Sequence, residues 1–372
     1  MRDFAARIDR ALSSARKHGV RFSAGAGAGD MEMQGLGKGT EDEGLPVGGP
    51  DHLEGRPGWR DPGVPDGSSK LCYFLDGVQS TREIGRIGAV PIVVTTVAAT
   101  IINRCDRRFS RVGIEEGPPV VVRAVILPNS IGDEKVAALW EALTSSGLVG
   151  LEPGEDPHHP DLLLDSTEYA ANPDPSDYVG LRESAMVRVR TLRERLETAL
   201  LRRWETDDRV LGGDDWIAVD GQLRDIKESN RRAVGLIKSV ARPEFTGEEI
   251  GVLLDLEPGM RTTSFVPGWQ RELPPNERRT SWYMRMWPPQ SGADALGSLM
   301  RVEAQRGTSA EEVDEISRWI LAEKAPLAKP DSRWPAMIYP IQYVEKVLKP
   351  TVQGSERAFA RLERGLAANG GN

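Results

Sequence analysis

Three apolar runs follow one another between Leu71 and Leu127, and a chain that carries them has to build a sheet. Leu71-Cys72-Tyr73-Phe74-Leu75 ends in Asp76-Gly77 and reads as a strand that stops at a turn. The neighbouring run falls within 84–102 and the third covers Pro119 to Leu127. A fourth, shorter run, Trp216-Ile217-Ala218-Val219, ends in the same pair, Asp220-Gly221. Further strands are predicted near 259–266, 279–287 and 296–304. Helical spacing marks 3–18, with Phe4, Ile8, Ala11 and Leu12 on one side, and 132–146, with Val136, Leu139, Trp140 and Leu143. A long helix is predicted over 178–204, a basic one near 229–240, and three more near 309–323, 340–348 and 355–368. Residues 150–178 are rich in Pro and Asp and read as irregular. Strands interleaved with helices predict an α/β chain with a mixed sheet.

The apolar runs reach from Leu71 to Ile341 and hydrophobic residues make up 39% of the 372, so a sizeable core is available. Before Lys70 the pattern differs. Residues 23–69 are rich in Gly, Pro and acidic side chains and predict a mobile loop or linker. The chain is read as an N-terminal helix (1–22), this linker (23–69), a main domain (70–349) and a C-terminal helix and tail (350–372). A formal net charge of −8 argues against a protein that coats nucleic acid without regard to sequence. It is compatible with an enzyme that needs acids at a metal site and only local basic patches. Cys72 and Cys105 are too few for a disulfide framework or a cysteine-rich zinc site, and two buried, reduced thiols are expected. No run of 18 apolar residues is present, and the N-terminus lacks the apolar stretch of a signal peptide, so a cytoplasmic protein is expected.

Asp76 and Asp220 each follow an apolar strand. Carboxylates at adjacent strand ends can converge on one hard divalent cation, and two such cations can serve phosphodiester hydrolysis. The same Asp-Gly pairs are also ordinary turn chemistry. A third acid is Glu197. It stands ~100° around the long helix from Leu196, at the edge of the stripe formed by Ala185, Val189, Leu192, Leu196, Ala199 and Leu200. It can look inward or lie on the solvated face.

Tyr73-Phe74-Leu75-Asp76-Gly77-Val78-Gln79-Ser80 resembles the first catalytic strand of the NurA nucleases. Arg195-Leu196-Glu197-Thr198-Ala199-Leu200 resembles the helix that bears a metal-binding glutamate in that family. Trp216-Ile217-Ala218-Val219-Asp220-Gly221-Gln222-Leu223 is similar to the second aspartate strand, where the family usually reads Asp-Gly-Ser-Leu. Ala233-Val234-Gly235-Leu236-Ile237-Lys238-Ser239 is similar to the Gly-Val-Val-Lys-Ser segment that follows. Ser281-Trp282-Tyr283-Met284-Arg285, Met300-Arg301-Val302-Glu303 and Ile338-Tyr339-Pro340-Ile341 are similar to later family elements, and the whole set keeps its order from 70 to about 349. The resemblance implies an RNase H-like mixed sheet flanked by helices, dependence on Mn²⁺ or Mg²⁺, and DNA cleavage. It also implies a nuclease dimer working with a hexameric HerA-type ATPase, and it makes Asp76, Glu197 and Asp220 metal ligands. The family commonly closes with Ala-His after Tyr-Pro-Leu, and its histidine helps bind metal. Glu345 holds the corresponding position here, either as a replacement ligand or as a surface glutamate.

Arg224, Lys227, Arg231, Arg232, Lys238 and Arg242 follow the Asp220 strand and can neutralise phosphates; Lys238 is the one expected to stabilise developing charge. Trp282, Tyr283 and Trp287 are either base-stacking or core aromatics. His158-His159 reads as loop, and Gly25 to Gly29 lacks the Gly-Lys-Ser/Thr ending of a phosphate-binding loop. Two alternatives stand beside the nuclease. One is a NurA-like subunit without catalysis that serves as a DNA-binding or assembly platform. The other is an Argonaute-related nuclease, for which the chain is short.

Overall fold

The structure, a computed structural model, describes residues 1–24, 48–67, 69–105, 108–111, 119–152, 154–171, 173–207, 210, 213–224, 232–238, 240, 242–289, 295–325 and 336–368. Its principal elements are α1 (Arg2–Lys17), β1 (Leu71–Ile87), β2 (Val90–Cys105), β3 (Val120–Leu127), α2 (Glu134–Ser145), β4 (Asp161–Asp165) and α3 (Tyr178–Glu205). They continue with β5 (Trp216–Asp220), β6 (Ala233–Ile237), β7 (Arg279–Arg285), β8 (Leu299–Gln305), α4 (Ala310–Ala322) and α5 (Tyr339–Ala368).

One mixed sheet carries the chain, in the order β7-β8-β6-β5-β1-β2-β3-β4, with short strands at both edges. β1 and β2 form a long antiparallel hairpin that turns at Gly88, whose φ of 60° suits a residue without a Cβ. β3 pairs antiparallel with β2. β5 returns parallel to β1, and β6 lies parallel to β5. A parallel return needs a crossover, and α3 is part of it. The central order β3-β2-β1-β5-β6, with those directions, is that of an RNase H-like core, the mixed sheet flanked by helices that the sequence predicts.

Both faces of the sheet are covered, as the parallel pairs require. Side chains alternate along β1. Tyr73 and Leu75 pack with Val189, Leu192 and Leu196 of α3. Phe74 packs on the other face with Ile316 and Ile320 of α4 and Val344 and Leu348 of α5. A third cluster joins α1, α2 and the end of α5 around the far end of the hairpin, through Phe4, Ile8, Leu139, Ile84, Ile92 and Phe359. Cys72 is half-buried. Among the described residues no helix is long and apolar enough to cross a membrane.

Several elements differ from the sequence expectation. β1 does not stop at Asp76-Gly77 but runs ten residues on, to Ile87, because β2 pairs with it throughout. The basic helix expected near 229–240 is instead strand β6, whose five residues Ala233–Ile237 are all buried. A run buried on both faces shows no alternation, and periodicity alone does not separate it from a helix. The stretch 150–178 contains strand β4, which pairs parallel with β3. The two C-terminal helices are one, α5, which passes through Pro350. An internal proline costs ~3 kcal/mol, but Val352, Phe359, Leu362 and Leu366 beyond it are all buried. At ~1.5–3 kcal/mol for each such side chain, packing outweighs the proline.

Residues 48–67 are docked on the sheet rather than acting as a linker. Asp51–His52 and Trp59–Arg60 pair with the strands Phe265–Val266 and Arg261–Thr262. Glu54 lies 2.8 Å from the fully buried Arg261, which fastens the segment. The remainder of the expected loop, 25–47, which includes Gly25 to Gly29, lies outside the described residues.

Candidate active site

The two Asp-Gly pairs have different physical roles. Asp220 closes β5, and Gly221 after it adopts φ 99°, the left-handed turn that the sequence suggests. Gly77 sits in the middle of β1, where a Cβ would collide with Oε1 of Glu197 and stand 3.1 Å from its Cγ. The glycine is the slot into which α3 lowers Glu197, not a turn residue. That dependence between a strand glycine and a helix glutamate leaves no trace in local pattern.

β5 pairs in register with β1 up to Val219 and Leu75, which places Asp220 beside Asp76. Asp76 is buried, and its Oδ1 accepts the N–H of Gly77 at 2.7 Å. Burial lifts its carboxyl well above the ordinary carboxylate range, and the charge of Asp220 lifts it further. Lys238 opposes the rise, while Glu197 and Glu345 add to it. The four other site residues anticipated from sequence therefore all act on the carboxyl group of the fifth, Asp76. Glu197 reaches the region from the α3 side over Gly77. By alternation Asp76 shares the other face with Phe74, where α5 carries Glu345.

Each of the other acids meets a cationic side chain. Nζ of Lys238 lies 2.7 Å from Oδ1 and 2.8 Å from Oδ2 of Asp220, with hydrogen-bond geometry to Oδ2. Both residues are largely enclosed, with side chains 11% and 17% exposed. Lys238 stands where β6 ends, two residues beyond Leu236, which pairs with Asp220. Arg193 approaches Glu197 to 3.5 Å, and Lys349 approaches Glu345 to 2.9 Å, each one helical turn away. Among the described residues no three acids, imidazoles or thiols stand together as a preformed ion cage. The donor chemistry nonetheless suits a hard cation. Every candidate ligand is a carboxylate oxygen, and Asp76 is buried in a negative field that a divalent ion would relieve.

A cleft opens beside Asp220 and Glu197. Arg193 and Glu194 of α3 line it, with Gln222 and Arg224 from the turn after β5. That turn is fixed from beneath. The N–H of Leu223 donates to Oε2 of Glu303 at 3.1 Å, and Glu303 is buried in β8 with Arg301 at 3.3 Å. Gly235 of β6 lets the turn approach, since a Cβ there would stand 2.7 Å from the Gly221 carbonyl oxygen. Arg193 and Glu303 are additions to the residues singled out in the sequence. The i, i+4 spacing of Arg193 and Glu197 was a readable signal for the first; nothing local points to the second.

Other sequence candidates fall elsewhere. Trp282 and Tyr283 are fully buried, with Trp282 Nε1 donating to Ser317 Oγ and Tyr283 Oη accepting from the Glu244 N–H, so they are core residues. Trp287 is partly buried against the same core. Arg232 donates to the carbonyls of Val210 and Gly213 and braces a loop. Arg242 is exposed. Lys227 and Arg231 lie outside the described residues. His158 and His159 bond to carbonyls of Asp156 and Asp161 within their own loop.

No family model matches the chain, and no curated protein matches it. Among solved structures, the crystal structure of the NurA nuclease from Sulfolobus solfataricus is similar at 14% identity, over 80% of this chain and 88% of that one, with a TM-score of 0.35. A likeness this loose concerns the fold at most.

Proposed function

We propose that the chain is a divalent-metal-dependent DNA nuclease in which Asp76, Glu197, Asp220 and Glu345 hold Mn²⁺ or Mg²⁺. The observation that carries the reading is the Asp76 carboxyl, raised by burial first and then by Asp220 beside it, with Glu197 and Glu345 adding to the rise against Lys238. A buried acid among like charges calls for a paired cation or a bound metal, and Lys238, which opposes the rise at Asp76, is already engaged with Asp220. When bound, such an ion orients water and stabilises charge in phosphodiester hydrolysis. The residues of the chain supply the rest. Asp76, buried beside Asp220, would give a carboxylate oxygen to the ion. Lys238 keeps Asp220 in place and offers a positive charge at the same carboxylate, where charge develops on a reacting phosphate. The motif order shared with NurA nucleases supports DNA as substrate, a homodimer, and a hexameric HerA-type ATPase as partner in end processing or defence against foreign DNA.

One observation favours a second reading, a DNA-binding or assembly platform without catalysis. Asp220, Glu197 and Glu345 already have cationic neighbours, and no three acids are assembled as an ion cage among the described residues. Degradation of linear DNA with Mn²⁺, alone and with a co-expressed ATPase partner, separates the two. The nuclease reading expects cleavage by the wild type and a loss of at least ~100-fold in Asp220→Ala, beyond what a supporting residue costs. Intact DNA under every condition, with retained binding, establishes the platform instead.

A further inference from the structure

We infer that Arg193 and Arg224 form a phosphate-gripping site in the cleft beside Asp220 and Glu197, and that its ligand is the backbone of a nucleic-acid strand. The inference rests on the nuclease reading and names the residues that would hold its substrate. Two guanidinium groups reach the cleft from different elements, Arg193 from α3 and Arg224 from the turn after β5. Each is held by an acid of α3. Nε of Arg193 lies 3.5 Å from Oε1 of Glu197, and Nη2 of Arg224 donates to Oε1 of Glu194 at 2.9 Å.

These contacts hold the two groups at the cleft wall. A guanidinium presents five donors in a planar fork, which suits the paired oxygens of a phosphate better than a point charge does. Arg224 is 43% exposed and Arg193 22%, so both can be reached from solvent. The acids on the same wall would repel a phosphate by themselves. A strand can settle there only where cationic side chains offset them, and Arg193 and Arg224 line the cleft together with Glu197 and Asp220. Lys238 is already occupied by both oxygens of Asp220 and serves the acid instead.

The test is equilibrium binding of a labelled oligonucleotide, as single strand and as duplex, with EDTA present so that nothing is cleaved, over a series of salt concentrations. Removing one phosphate contact lowers the slope of log K against log salt by ~0.9 for duplex and ~0.7 for single strand. Arg193→Gln and Arg224→Gln should each show that loss, and Arg193→Lys should recover the slope without the full affinity. Arg364→Gln, on the outer end of α5, should leave both unchanged. The arm with the larger effect identifies which form of nucleic acid enters the cleft. Wild-type slope and affinity in both Gln variants, with folding confirmed by their melting curves, overturn the phosphate site. Absence of binding by the wild type overturns the nucleic-acid reading itself and this inference with it.

Discussion

A methyl group at position 77 would enter space that the Glu197 carboxylate already fills. The obstructing atoms belong to the far end of a flexible side chain, so the chain has an inexpensive response, which is to swing Glu197 away. Gly77→Ala should therefore fold, with a stability cost toward the lower end of the ~1–3 kcal/mol of an overpacked site. It should bind Mn²⁺ ~10–100-fold more weakly, the range seen when a ligand loses its support. Calorimetric titration with Mn²⁺, beside a melting curve, measures both, and unchanged affinity would show that Glu197 is no ligand. Asp76, Asp220 and Lys238 were legible as residues because acids after apolar strands, and a lysine after Leu236-Ile237, are unusual enough to notice. The purpose of Gly77 was not legible, since the neighbour that requires it lies 120 residues further along the chain.

Strand β8 controls the turn that carries Arg224, and it does so through one buried acid. Glu303 accepts the Leu223 N–H and lies 3.3 Å from Arg301, which is fully buried. Glu303→Ala removes an acceptor and an anionic neighbour at once and should cost ~3–5 kcal/mol, the range for breaking a buried pair. Glu303→Gln keeps an acceptor and should cost clearly less. Urea unfolding of the three proteins decides the matter; equal stability of the Ala variant and the wild type would mean that the turn is held by other contacts. Elements as a class were readable where one face is wet. The amphipathic stripes of α1, α2 and α4 coincide with predicted helices. Reading failed for β6, where burial on both faces erased the period, and at Pro350, where a strong local breaker is overruled by the buried stripe on either side of it.

At the scale of the molecule, the order β3-β2-β1-β5-β6 is what brings Asp76 and Asp220 side by side, although 143 other residues separate them in the chain. The fold thus concentrates negative charge at one buried point, and that has a consequence for stability. Unfolded, Asp76 titrates near the ordinary aspartate value of ~3.9; folded, burial and then Asp220 hold it well above the usual range. Between those two values the folded chain keeps a proton that the unfolded chain has lost. Stability from this residue is therefore fully present below the unfolded value and is lost as pH rises through the folded one. Asp76→Asn stays neutral throughout and retains an oxygen acceptor for the Gly77 N–H. In EDTA the variant should gain on the wild type as pH rises, by ~1.4 kcal/mol for each unit that separates the two values. Saturating Mn²⁺ should stabilise the wild type and close that gap, because the ion takes the place of the proton. Denaturant unfolding of both proteins across the pH range, with and without the metal, reads the difference directly. A gap that stays constant with pH would mean that Asp76 keeps its charge in the folded chain, and the acids would then balance one another without any need of a cation.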